Sequence, residues 1–272
     1  MDAKLQRRIQ RYGWDKAAPL YERYWQDQLA PARERLFALA ALRPGEQVLD
    51  VACGTGLVTF PAAAAVTPAG RVVGADISEA MVTAVRAEAA SRGLTQITAE
   101  RMDAESLQVP ERSFDVVLCA LGLMYVPDPV RALRQSLDVL RPGGRLVAAV
   151  WGARRNCGWA EIFPIVDARV QSEVCPMFFQ LGTGDRLAQT AAEAGFTDIT
   201  SERISATLRY ASADDAVGAA FAGGPVALAY SRFEEQVRDE AHAEYLASIE
   251  PYRAGEGYEI PGEFVVVRGY RR

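Results

Sequence analysis

The chain has 272 residues, half of them hydrophobic and 24% charged, with a formal net charge of −5. That size and balance suit a large soluble α/β domain able to bury a sizeable core, and they offer no basic footprint for a nucleic-acid backbone. The opening MDAKLQRRIQ lacks the apolar centre of a signal peptide and no apolar run is long enough to span a bilayer, so the expected setting is the cytoplasm with no membrane partner.

Residues 1–40 read as helical and unusually aromatic, carrying Tyr12, Trp14, Tyr21, Tyr24 and Trp25. Tyr21, Tyr24 and Trp25 fall at i, i+3 and i+4, which puts aromatic rings on one helix face. From residue 47 onward, strand-like runs at 47–52, 71–76, 96–101, 114–120, 145–151 and 197–204 alternate with helices at about 54–65, 78–92, 128–140 and 183–194. Ser78 is placed to cap the second of these helices and Gly93 to end it, while RPGG at 141–144 reads as a breaker before the next strand. Segments at about 152–180 and 209–258 interrupt the rhythm, and EFVVVRGYRR at 263–272 reads as a final strand. The pattern predicts an α/β chain with a doubly wound, seven-stranded, mostly parallel sheet, right-handed crossovers and helical insertions. Cys53, Cys119, Cys157 and Cys175 have neither CxxC spacing nor neighbouring histidines, so buried reduced thiols and no metal are expected.

In such a sheet ligands bind at the carboxyl ends of the strands, near the switch in strand order, where Asp50, Gly54, Gly56, Asp76, Asp103 and the Cys119–Gly122 stretch converge. QVLDVACGTGLVTF ends an apolar strand in an acid and then a glycine turn; Asp76 ends the next strand 20 residues past Gly56. An acid there suits the two hydroxyls of a ribose. A dinucleotide fingerprint would put a third glycine at 59, where Thr59 stands, and Asp50 would repel a pyrophosphate while attracting an ammonium. The preferred ligand therefore carries a ribose and a cation, and S-adenosylmethionine carries both. A nicotinamide-dependent oxidoreductase is the enzyme-class alternative.

The chain resembles the class I S-adenosylmethionine-dependent methyltransferases, and among them the group similar to the ubiquinone/menaquinone C-methyltransferases. VLDVACGTG, with Ala52 where many members have glycine, GADISEAMV, MDAESLQVPERSFDVVLCALGLMYVPDP and LRPGGRLVAAVW carry the likeness. The resemblance implies a Rossmann-like methyltransferase fold and methyl transfer from S-adenosylmethionine to a small, apolar or aromatic acceptor. A protein that holds the cofactor without turning it over is a further alternative. By position, Asp50, Ala52, Cys53 and the Gly54–Gly56 turn would hold the methionine end and Asp76 the ribose. Ile77 and Met81 would lie by the adenine, with Asp103 accepting from its amino group and Ala104 offering its backbone. Cys119 and Ala120 would offer main-chain groups beside the methionine moiety. The aromatic face of the N-terminal helix suits simple core packing, while the resemblance implies that residues 1–40 form a lid over a core at 41–272, with Tyr21 the favoured lid contact. The N-terminal helix and the two insertions would build the acceptor site, for which Leu123, Met124, Tyr125, Trp151, Phe178 and Phe179 are apolar candidates. His242, the only histidine, lies among charged residues and reads as part of a solvated helix face rather than as a general base.

Overall fold

The computed structural model describes residues 2–170 and 177–272, so Cys175 lies outside the described residues. Two helices open the chain, α1 (Ala3–Trp25) and α2 (Ala30–Ala40), and Pro19 sits inside α1 without breaking it. Strand β1 (Gln47–Val51) then leads into α3 (Thr59–Val66), β2 (Arg71–Asp76), α4 (Glu79–Ser91), β3 (Ile97–Arg101) and β4 (Phe114–Ala120). They are followed by α5 (Pro129–Val139), β5 (Leu140–Trp151), α6 (Ile162–Asp167), α7 (Arg186–Ala194) and β6 (Thr197–Tyr210). The C-terminal part holds α8 (Ala213–Val217), α9 (Ala227–Tyr230), α10 (Glu235–Ile249), the two-residue β7 (Arg253–Ala254) and β8 (Gly257–Tyr270).

Seven strands run in the order β3-β2-β1-β4-β5-β8-β6, and β7 adds a short pairing to β8. The first five are mutually parallel; β8 is antiparallel to both β5 and β6. Val48, Leu49, Val116, Val117, Leu118, Leu146 and Val147 are fully buried, the expected consequence of a parallel sheet covered on both faces. Strand order reverses between β1 and β4, so the carboxyl ends of these two strands frame the crevice.

Four local expectations change. The helix expected at 54–65 begins only at Thr59, because Gly54 and Gly56 hold left-handed backbone, with φ of 54° and 101°, that keeps residues 52–58 as a turn. RPGG does not separate α5 from its strand. The strand already starts at Leu140, and the four residues loop out as a register shift opposite Phe114 and Val116. The strands expected at 197–204 and 263–272 are both longer: β6 runs to Tyr210 and β8 starts at Gly257, pairing as one long antiparallel ribbon. Part of the insertion at 209–258 is therefore strand. By contrast, α4 is capped at both ends as its sequence indicates. Ser78 Oγ accepts from Met81 N at 3.2 Å, and Gly93, at φ 65°, lets Leu94 N donate back to Ala89 O at 2.9 Å.

Candidate functional site

The turn after β1 carries the strain of the site. Ala52 adopts φ 58°, a conformation that costs a non-glycine residue about 1–2 kcal/mol. Its methyl group explains a glycine elsewhere: a Cβ on Gly122 would stand 2.3 Å from Ala52 Cβ. Leu121, at the end of β4, is also left-handed, at φ 60°. Both irregular residues face the crevice.

Two buried acids organise its floor. Asp76, 7% exposed, accepts from Gly54 N and Ser78 N, each at 2.9 Å. It therefore ties the β1 turn to the start of α4. Burial pushes its carboxyl up to about 6 against the pull of those two N–H groups. Asp50 is deeper, and Thr59 Oγ1 donates to its Oδ2 at 2.6 Å while Oδ1 is buried without a partner. Burial, opposed by the Thr59 hydrogen bond, pushes Asp50 up to about 7. Thr59 thus occupies the place of a third glycine and gives Asp50 its one hydrogen bond.

A small cavity beside the turn is lined by Asp50, Ala52, Cys53, Gly54, Ala120 and Tyr21, together with Arg33 from α2. Arg33 donates to Leu57 O and Gln26 O at 3.2 and 2.6 Å, and its Nε is buried without a partner. One cation and one carboxylate therefore face the same space, each with a spare polar atom.

The larger cavity continues from there. Tyr21, Ala52, Gly54, Asp76, Ile77, Met81, Asp103, Ala104 and Ala120 all line it. Of the expected site residues, Asp50 and Cys53 border only the small cavity. Gly56 and Cys119 border neither. Gly56 serves the turn, since a Cβ there would lie 2.5 Å from the Phe60 ring, and Cys119 is a buried thiol within β4. No group of acids, cysteines and histidine able to hold a metal occurs among the described residues.

Helix α1 closes one side. Arg7, Gln10, Trp14, Tyr21 and Trp25 recur at helical spacing and all line the large cavity. The aromatic face expected from Tyr21, Tyr24 and Trp25 divides: Tyr24 turns away onto Gly218 and Gly223, and Tyr12 is exposed. Two polar clasps hold α1 across the crevice. Arg7 Nε pairs with Asp103 at 2.9 Å and Glu105 at 2.8 Å, and Asp15 accepts from Ser78 Oγ at 2.6 Å and Ala80 N at 3.2 Å. Burial raises the Tyr21 phenol, with the Asp76 charge adding to the effect, so Tyr21 stays neutral.

The far end of the large cavity is aromatic. Trp151 meets Trp159 edge-on at 4.8 Å, Trp25 meets both rings at about 6 Å, and Tyr125 meets Phe178 at 5.4 Å. Tyr125, Trp151 and Phe178 line the cavity as anticipated; Leu123 and Met124 are core, and Phe179 packs outside it against Trp159 and Phe163. Sequence reasoning did not single out Arg7, Arg33 or Trp159, whereas Gly122 lines the large cavity as the end of the Cys119–Gly122 stretch expected there. Only Arg7 left a usable signal, its seven-residue steps to Trp14 and Tyr21.

His242 does not border either cavity. Nor is it solvated as expected: its ring is half-buried on Phe221 and Tyr230, with Nε2 3.0 Å from the Tyr230 hydroxyl.

A family profile described as a methyltransferase domain matches residues 48–144. The chain is 31% identical to the nocamycin O-methyltransferase of Saccharothrix syringae over 256 residues, covering 89% of this chain and 91% of that one. It is 40% identical to the ubiquinone/menaquinone biosynthesis C-methyltransferase UbiE of Ectopseudomonas mendocina over 126 residues, 46% of this chain and about half (49%) of the relative. In fold it is similar to the Haemonchus contortus phosphoethanolamine N-methyltransferase 2 solved with S-adenosyl-L-methionine, at a TM-score of 0.61 and 16% identity over 94% of this chain and 57% of that one. The match to one methyltransferase over nearly its whole length, with the domain profile over the motif-bearing strands, identifies the chain as a member of the S-adenosylmethionine-dependent methyltransferases.

Proposed function

We propose that this methyltransferase acts on a small, apolar or aromatic acceptor and works mainly by alignment. The observation that carries the reading is the joining of two unlike spaces. A small cavity lined in part by Asp50 and Arg33 shares Tyr21, Ala52, Gly54 and Ala120 with the larger cavity, which runs past Asp76 to an aromatic chamber.

The residues fit the cofactor. Asp50 Oδ1 and Arg33 Nε, both without partners, would take the α-ammonium and α-carboxylate of its methionine end. Asp76 keeps lone pairs free for ribose hydroxyls after accepting its two N–H groups. Ile77, Met81 and Met102 would bracket the adenine, with Asp103 and Ala104 at its edge. Gly56 and Cys119 would act by shaping the turn and the strand behind it. When bound, the cofactor supplies an electrophilic methyl group on a sulfonium.

The chain's own part is then to bind, orient and exclude water. Helix α1 would serve as the lid, held shut by the Arg7 and Asp15 clasps, with Tyr21 against Gly54. Holding acceptor and methyl group in line can contribute roughly 7–11 kcal/mol in favourable cases. The full-length likeness to an O-methyltransferase supports a small-molecule acceptor.

The test is calorimetry with S-adenosylhomocysteine and with NAD, followed by a methyl-release assay over a panel of phenols, enols, aromatic amines and charged aliphatic acceptors. We expect S-adenosylhomocysteine to bind, NAD not to bind, and turnover to favour aromatic members of the panel. Tight NAD binding, or turnover confined to charged aliphatic acceptors, would overturn the reading.

A further inference from the structure

The aromatic chamber contains two polar atoms that its packing does not use. Trp25 is 5% exposed and Trp159 2%, and the indole Nε1 of each is buried with no hydrogen-bond partner. A buried donor left unpaired carries its full desolvation penalty, so native structures rarely tolerate one without a reason. Here two occur on touching rings, with centroids 5.9 Å apart, and both rings line the same cavity.

No described neighbour supplies an acceptor to either N–H. The chain passes Trp25 as Gly223-Gly224-Pro225, and a Cβ on Gly223 would come within 3.5 Å of Trp25 Nε1. Gly224 and Pro225 themselves line the cavity. Two glycines in succession therefore keep side chains away from the N–H edge of the indole. The neighbouring described wall, Trp14, Tyr125, Trp151 and Phe178, carries no ionised group. A ligand here meets ring faces among which Trp25 Nε1 and Trp159 Nε1 are buried donors without a described partner, and these rings offer no counter-charge.

We propose that Trp25 and Trp159 form a paired N–H donor site that selects an uncharged, flat aromatic acceptor bearing a carbonyl or comparable oxygen. The inference rests on the cofactor and acceptor reading above and names the substrate class for it. The aromatic faces would bind the ring system without regard to its substituents. The two N–H groups would fix its rotation in the plane, and so which of its atoms is presented to the methyl group. They are positioning and specificity-determining groups.

The experiment uses 9-fluorenone and fluorene, which share a flat tricyclic shape and differ in one carbonyl. Their affinities for the full chain loaded with S-adenosylhomocysteine are measured by equilibrium dialysis. The wild type is compared with Trp25→Phe and Trp159→Phe, each of which keeps a ring and removes the N–H. One hydrogen bond predicts that each variant weakens fluorenone by about three- to tenfold. Fluorene should stay within about twofold, and this also reports that the chamber is intact. If both probes weaken equally, or neither changes in either variant, the N–H groups point into neighbouring ring faces and the proposal falls. It also falls if neither probe binds the wild-type complex. Failure of S-adenosylhomocysteine itself to bind the wild type would instead defeat the cofactor reading, and calorimetry detects that separately.

Discussion

The two halves of the sheet are built on different terms. In the parallel half, β3-β2-β1-β4-β5, four strands bring residues at or just past their ends to the cavities around the β1 turn: Asp50, Asp76, Asp103 and Ala120. Sequence order and spatial order are linked by short βα units, so a motif read along the chain is also a motif in space. The antiparallel half, β8 and β6, supplies no such ends. The aromatic chamber instead takes Trp14 and Trp25 from α1, Trp151 from the end of β5, Trp159 and Phe178 from the insertion, and Gly224 from before α9. These residues are more than two hundred positions apart at the extremes, and only folding brings them together. On the proposed reading, the cofactor side is thus placed by topology, and the acceptor side by packing among α1, the end of β5 and the insertions.

The largest expected effect lies on the topological side. Asp76→Ala removes the acceptor of two buried backbone N–H groups and, on our reading, of two ribose hydroxyls. S-adenosylhomocysteine affinity should fall by about 1–3 kcal/mol, measured by calorimetry at fixed ionic strength. Unchanged affinity would separate the motif from the ligand and break the comparison at its stronger end.

Next is the pH dependence that Asp50 imposes. Its carboxyl sits near 7 in the fold and near 4 in an unfolded chain, so the native state holds the extra proton between those values. The stabilising contribution is full below about pH 4 and is lost as pH rises through about 7. Asp76, near 6, adds a change of the same sign ending about one unit lower. Binding an ammonium requires the ionised form, so cofactor binding should release a proton. S-adenosylhomocysteine affinity should accordingly rise between about pH 5.5 and 7, by up to tenfold per unit. Asp50→Asn should bind more weakly and flatten this rise. A profile with the same slope in the variant would assign the proton to another group.

These two predictions also mark what the sequence made legible. Asp50, Asp76 and the glycine turn could be read because strand-acid-turn is a local pattern with a local cause. The helix start at 54 was misread for an equally local reason: the left-handed residues that open the turn delay α3 to Thr59. The ribbon of β6 and β8 outruns its sequence signal because its outer part alternates single buried residues, Leu208, Tyr210, Tyr258 and Ile260, with exposed ones and includes Pro261, so no continuous apolar run marks it. Arg33 and Trp159 carried no signal at all. Each matters only through a neighbour distant in sequence, Asp50 for the first and Trp25 for the second.

A smaller effect tests the strain in the turn. Ala52→Gly removes the left-handed penalty and adds backbone freedom to the unfolded chain, and the first term is the larger. Stability should rise by up to about 1 kcal/mol in urea titration. A loss of stability would mean that the Ala52 methyl group, which excludes any side chain at Gly122, contributes more through packing than its backbone costs.

The smallest expected effect on catalysis belongs to His242, and it tests whether the outer helices take part in the chemistry. The ring lies on Phe221 and Tyr230 at centroid distances of 5.0 and 5.6 Å and borders neither cavity. Burial lowers its pKa, against the nearby Asp239 charge, so near neutral pH it is an uncharged ring packed in an aromatic cluster. His242→Gln should therefore cost stability, about 0.5–1.5 kcal/mol from the lost ring contacts, while turnover stays within about threefold of the parent. General-base catalysis is worth about 10²–10⁴-fold, so the two accounts differ by more than the error of a rate assay. A hundredfold drop in turnover with cofactor affinity intact would place the histidine in the proton path. The insertion carrying α10 would then have to close onto the acceptor during catalysis, and the division between a topological cofactor side and a packed acceptor side would no longer hold.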